Sequence, residues 1–209
     1  MTTIRLTLPL AEDEARALHV GDMVTLSGTL VTARDAAHKY MVETFIRPER
    51  IPPAEAGLHE RLQQLLQGGV IYHCGPVVRR DTDAELGWTF VAAGPTTSIR
   101  EEPYEPDVIA HFGLRGVIGK GGMGPTTLEA LQAHGAVYFN AIGGAASLIA
   151  QAVKDVIEVH KRETFGTPEA LWVIRVEHFP VIVTMDAHGQ SLHQLVADAS
   201  SRRLAQLLD

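Results

Sequence analysis

Arg34, Arg100 and Lys120 each stand among residues small enough to let a ligand reach the backbone. Their segments are SGTLVTARDAAH (27–38), GPTTSIR (94–100) and GKGGMG (119–124). A guanidinium fork matches a carboxylate or phosphate at two points, a lysine adds a compact charge, and Gly, Ser and Thr leave N–H groups open to an anion. The whole chain carries a formal net charge of −7. Cations gathered in such turns of an acidic protein imply a local anion site, suited to two carboxylates or a phosphate, and not a polyanion surface. Thr96 and Thr97 follow Gly94-Pro95, so the middle segment also holds two hydroxyls on a fixed turn. His38 comes one helical turn after Arg34 and reads as a helix-surface or partner-contact residue.

The elements that must position these residues are legible in outline. Ile4–Leu8 and Met23–Val31 alternate as strands, with Leu10–Leu18 between them as a short helix. Arg34–Phe45 is a predicted helix, with Thr32 or Ala33 near its cap and Asp35 in its first turn. A second helix, Glu55–Leu66, stops at Gly68-Gly69. Val70–Val78, interrupted by Gly75-Pro76, and Trp88–Ala93 read as apolar strands, the latter running into Gly94-Pro95-Thr96-Thr97. A short helix is expected over Asp107–Phe112. Val117-Ile118 leads into GKGGMG, and Pro125 opens the helix Thr126–His134. Ala136–Asn140 reads as a strand, Ser147–Val159 as a long helix, Leu171–Val176 and Val181–Met185 as strands flanking Phe179-Pro180, and Ser191–Leu208 as a helix. The alternation implies a mixed α/β fold, a single domain over residues 1–209, with each cationic segment following a strand.

Composition removes several classes of function. Cys74 is the only cysteine, so the chain forms no internal disulfide and cannot hold a cysteine-ligated iron–sulfur cluster by itself. Cys74 lies in an apolar run and reads as a small core residue. The 10 histidines show no recognised metal-ligand spacing, and no protein-held metal is expected. No run approaches the roughly 20 apolar residues of a membrane span, and the first residues lack the build of a signal peptide, so a cytoplasmic protein is expected. Gly119, Gly121 and Gly124 match the bare G-x-G-x-x-G pattern, but they lie mid-chain and the position of the ribose acid is Asn140. KGGMGPTT (120–127) is similar to a deviant phosphate loop of partitioning-type ATPases. Pro125 stands there in place of the phosphate-contacting lysine, and it supplies neither charge nor N–H.

In SGTLVTARDAAH, YHCGPVV (72–78), GPTTSIR, IGKGGMG, YFNAIGGAA (138–146) and VEHFPVIVTMDAHGQSL (176–192), the chain resembles the β subunit of two-subunit class I fumarases and of L(+)-tartrate dehydratase, the unit that forms the C-terminal domain of single-chain members. One departure is Glu101-Glu102, where many members continue the arginine with Met-Asp. The resemblance implies a swivelling β/β/α domain related to the mobile domain of aconitase. It implies a 4Fe–4S cluster carried by a partner α subunit in an α2β2 assembly, none being bound by this chain, and reversible hydration of fumarate to L-malate. It places substrate-binding roles on Arg34, Arg100 and Lys120, and the proton-abstracting role on Thr96. L(+)-tartrate dehydration and a non-catalytic anion-binding module are the alternative readings.

Overall fold

The computed structural model describes residues 3–84 and 86–208. The chain begins with β1 (Ile4–Thr7), the short α1 (Glu12–Arg16) and β2 (Met23–Thr32), then α2 (Asp35–Met41), which a π-helical turn prolongs over Val42–Ile46. A 3-10 turn at Pro53–Glu55 leads into α3 (Ala56–Leu66), followed by β3 (Val70–Tyr72), β4 (Val77–Arg80) and β5 (Trp88–Ala92). A second 3-10 turn, Ser98–Glu101, precedes α4 (Glu105–Phe112), β6 (Gly116–Gly119), α5 (Pro125–His134) and β7 (Val137–Asn140). The remainder is α6 (Ala146–Ala150), β8 (Val153–His160), α7 (Arg162–Phe165), β9 (Leu171–Met185) and α8 (Leu192–Leu208).

Seven strands form one sheet in the order β1-β2-β3-β6-β7-β9-β8, and β2 pairs with β9 as well. Neighbours from β1 to β7 run parallel, while β9 is antiparallel to β2, β7 and β8. β9 pairs with β2 along one edge and with β8 and then β7 along the other, so the sheet curls back on itself. The curl needs a local break: register shifts between Leu26 and Gly28, and Gly28 takes φ +127. A Cβ at Gly28 would lie 2.9 Å from both Cβ and O of Leu8, so only glycine fits the bulge. β4 and β5 form a separate hairpin.

The period-2 strands present one apolar face to each side of the sheet. Inside the curl, Leu26, Leu30, Tyr72, Phe139, Trp172, Ile174 and Phe179 form one core. Trp172 stands edge-on to Trp88 and Phe90 at 5.8 and 5.7 Å, which clamps the hairpin to β9. On the outer face, Val31, Ile71, Val117 and Val173 meet Ala37, Met41, Leu62, Leu66, Ile109, Phe112 and Leu131 from the helices. Each such large side chain, fully buried, contributes about 1.5–3 kcal/mol of transfer free energy. Because β2, β3, β6 and β7 are parallel, their carboxyl ends share one edge, and Arg34, His73, Lys120 and Ala141 all follow there.

Several expectations need correction. The predicted helix Ser147–Val159 is helical only to Ala150; Val153–His160 is β8, paired with β9. Leu171–Val176 and Val181–Met185 are one strand, which passes His178 at φ 52 and carries Pro180 at an exposed position. The two halves of Val70–Val78 enter different sheets. The cap of α2 is Arg34 itself, in extended conformation, and not Thr32 or Ala33.

Candidate functional site

Backbone bonds tie the cationic segments together. Lys120 N–H donates to Thr96 O at 3.2 Å and Ser98 N–H donates to Lys120 O at 3.1 Å, so the turns after β5 and β6 run side by side. Thr96 N–H and Thr96 Oγ both donate to the carbonyl of His73, at 2.8 and 3.2 Å. Lys120 is exposed and its Cδ lies 3.7 Å from where a Cβ on Gly143 would stand, so the Gly143-Gly144 turn flanks it. Arg100, about half exposed, is ion-paired to Asp35, the residue after Arg34. Arg34 Nη1 lies 3.3 Å from Glu169, which also accepts from the Ala36 N–H at 3.1 Å and so helps to cap α2. A Cβ on Gly75 would come within 2.5 Å of Arg34 Nη1, so glycine is what lets that guanidinium pass. The structure therefore brings Arg34, Arg100, Thr96 and Lys120 onto adjoining turns at one end of the sheet.

Beneath them is a cluster that the sequence does not announce. His38, His73, Ser98, Glu101 and Glu105 are all fully buried, which corrects the surface reading of His38. Glu105 Oε2 lies 2.9 Å from His73 Nε2 and 3.0 Å from His38 Nε2. His73 Nδ1 is 2.8 Å from Ser98 Oγ, which accepts from Tyr138 OH at 2.8 Å, and His38 Nδ1 is 3.0 Å from the carbonyl of Arg34. Burial alone would neutralise Glu105, but the two imidazoles beside it hold its pKa far below the usual carboxylate range. Burial also works against charge on His38, and there Glu105 wins and raises it; at His73 burial wins and lowers it.

Six buried side-chain atoms have no protein hydrogen-bond partner among the described residues: Arg34 Nε, Asp35 Oδ1, His38 Nε2, both Glu101 oxygens and Glu105 Oε1. All six belong to this neighbourhood. Buried polar atoms are normally satisfied, and a concentration of exceptions marks a place where the fold keeps binding capacity unspent. At Glu101, burial first and the adjoining Asp35 second push the carboxyl up to about 8. His38, His73 and Glu105 are also the group whose ligand atoms, all within 4.8 Å of one another, could hold a metal ion.

Glu102 has a different task. Its carboxylate accepts from Gly124 N–H at 2.7 Å, Thr127 N–H at 3.1 Å and Thr127 Oγ at 2.6 Å, closing the N-terminus of α5. That helix end is where GKGGMG would have to cradle a phosphate, and it is already occupied by a side chain of the same charge. Cys74 is buried, and burial pushes its thiol up to about 12, in accord with a core residue. None of the described helices is long and apolar enough to cross a membrane.

A family model described as "Fumarase C-terminus" matches residues 1–196. A Geobacillus stearothermophilus protein, named provisionally as a class I fumarate hydratase, is 46% identical over 203 residues, 97% of this chain and 36% of that protein. The chain thus spans about a third of that relative's length. The L(+)-tartrate dehydratase subunit beta of Escherichia coli K12 is 40% identical over 188 residues, 90% of this chain and 85% of its own. A Methanocaldococcus jannaschii protein, provisionally named as the same kind of subunit, is 36% identical over 200 residues, 95% of both chains.

Proposed function

Since the chain belongs to the Fumarase C-terminus family, we propose that it is the β subunit of a class I iron–sulfur hydro-lyase, hydrating fumarate reversibly to L-malate with a cluster-bearing α subunit in an α2β2 assembly. The observation that carries the reading is the convergence of Arg34, Arg100 and Lys120 with Thr96 on turns joined by their own backbones. The 4Fe–4S cluster does not fit these 209 residues, whose single cysteine is buried and holds its proton. It is assigned to the partner, where its chemistry is that of a Lewis acid toward the substrate hydroxyl.

What this chain supplies is charge and a hydroxyl. A dicarboxylate takes Arg34 from Glu169 and Arg100 from Asp35, exchanging one carboxylate partner for another at each guanidinium. Removing the proton next to a carboxylate builds a second negative charge on that group. Cations fixed around it stabilise the transition state more than the ground state, and that difference is what accelerates the step. Thr96, having given up its own proton to become the alkoxide, is the group we assign to take the proton. Its hydroxyl is a very weak acid, so the role depends on the positive potential of Arg34, Arg100 and Lys120. In the unliganded chain the hydroxyl is turned to the His73 carbonyl. On this reading the domain closes its cations over an acid held by the partner.

L(+)-tartrate dehydration is the second reading, favoured by the names of the relatives whose length this chain matches. The two substrates differ by one hydroxyl. Measuring kcat/KM for L-malate and for L-tartrate on one anaerobic preparation decides between them. A malate preference supports the proposal, a tartrate preference replaces it, and turnover of neither acid moves the chain to the anion-binding module.

A further inference from the structure

We propose that Glu105 is the positioning residue of the dicarboxylate site, one buried carboxylate that fixes Arg34 through His38 and Thr96 through His73. The inference rests on the roles proposed for Arg34 and Thr96, and it assigns work to four residues that touch no substrate: Glu105, His38, His73 and Ser98.

The two arms follow from the hydrogen-bond inventory. Glu105 Oε2, a carboxylate oxygen, accepts from His73 Nε2, and burial holds that ring neutral, so its Nδ1 accepts from Ser98 Oγ, which in turn accepts from Tyr138 OH. His73 then carries its proton on Nε2, facing Glu105, and is neutral. The same residue's carbonyl receives both the N–H and the hydroxyl of Thr96. Ser98, held by the imidazole, passes the constraint to Lys120 through its N–H. This arm sets the height of the Thr96 turn.

His38 differs. Its Nδ1 donates to the Arg34 carbonyl, and its Nε2 stands 3.0 Å from Glu105 Oε2 without hydrogen-bond alignment, so charge, and not a shared proton, ties the ring to Glu105 as an imidazolium. The Arg34 carbonyl thus receives two donors, the ring at 3.0 Å and the His38 N–H at 2.9 Å. Arg34 caps α2 without a side-chain bond of its own, so this pair of donors is what fixes the extended turn from which its guanidinium leaves. The charges facing the cluster come from every neighbouring element: Arg34, Asp35 and His38 around α2, His73 after β3, Glu101 from the 3-10 turn, and Tyr138 from β7. Within it, His38 balances Glu105, and a dry ion pair of this kind is rigid because breaking it strands a charge.

The test has two readouts. Ring nitrogen-15 NMR on the full chain should find His38 doubly protonated at neutral pH, and losing its second proton more readily in Glu105→Gln. In the enzyme assembled with its cluster-bearing partner, His38→Gln should raise KM about tenfold with a fall in kcat beside it, and Ser98→Ala should lower kcat with KM little changed. Glu105→Gln should do both, lowering kcat/KM about a hundredfold, the scale of a small misplacement of reacting groups. A role in stability alone would lower kcat by the fraction misfolded and leave KM unmoved in every variant, which overturns the proposal. So does a neutral His38 in the wild-type chain at pH 7, or a stoichiometric transition metal bound by the wild-type chain and lost in Glu105→Gln. If Glu105→Gln fails to fold, the wild-type NMR and the other two variants still decide. If the assembled enzyme turns over no dicarboxylate, the proposed function fails, and the NMR result separately tells whether the two arms exist.

Discussion

Arg100 is ion-paired to Asp35, the residue next to Arg34 in the chain, so the second arginine proposed to grip the substrate is held by a carboxylate one position from the first. That carboxylate occupies a guanidinium which a substrate must claim. The Arg100 side chain is 55% exposed and that of Asp35 32%, and ion pairs in such settings are worth about 0–1 kcal/mol. Asp35→Asn should therefore lower KM by no more than about fivefold, with kcat unchanged. A KM that instead rises tenfold or more would mean that Asp35 aims Arg100 rather than competes for it.

Arg100→Ala removes a charged two-point contact. Steady-state kinetics should show a loss of about 1.5–3 kcal/mol in kcat/KM, shared between a higher KM and a lower kcat. An unchanged kcat/KM removes Arg100 from the clamp.

Thr96→Val keeps the shape of the side chain and deletes the hydroxyl that donates to the His73 carbonyl. We expect kcat to fall by about a hundredfold or more with KM within about twofold, the mark of a group used only in the transition state. Turnover at the wild-type rate would take Thr96 out of the chemistry.

Glu101 makes stability depend on pH. Its carboxyl stays protonated in the fold up to about 8, against an ordinary value of 4.5. Between those values the folded chain holds a proton that the unfolded chain has lost. Stability therefore falls as pH rises through the window and levels off above it. Glu101→Gln keeps the size of the side chain and carries no charge. At about pH 9 it should be more stable than the wild type by about 1–3 kcal/mol, with little difference at about pH 4. Thermal melts at both pH values check this, and equal shifts at the two would show that Glu101 is not titrating.

Much of the fold was legible because local pattern and tertiary role agree over most of the chain. Met23–Thr32 alternates and is half of the central pairing, and Pro125 with Gly135 bounds α5 on both sides. The reading fails at Val153–His160, where Val153, Val156 and Val159 keep a spacing that also suits a helix. The β-branched side chains and the long edge of β9 settle it as a strand. The cationic segments were legible because small residues around Arg34, Thr96 and Lys120 have few other uses at strand ends. Glu105 was not. It lies 32 positions from His73, and in the first turn of α4 it reads as an ordinary complement to the helix dipole. Only the parallel order of β2, β3 and β6 brings it under two histidines. His38 misled for the same reason, since its burial comes from α4 and the 3-10 turn and not from its own helix face.

The most direct measurement is fumarate hydration by the anaerobically purified chain, assayed alone and with the cluster-bearing partner that co-purifies with it, with iron determined in the same fractions. The account predicts activity only in the iron-containing complex, and none in the isolated, folded chain. A folded chain that acquires no iron-bearing partner and shows no turnover in any fraction would contradict it.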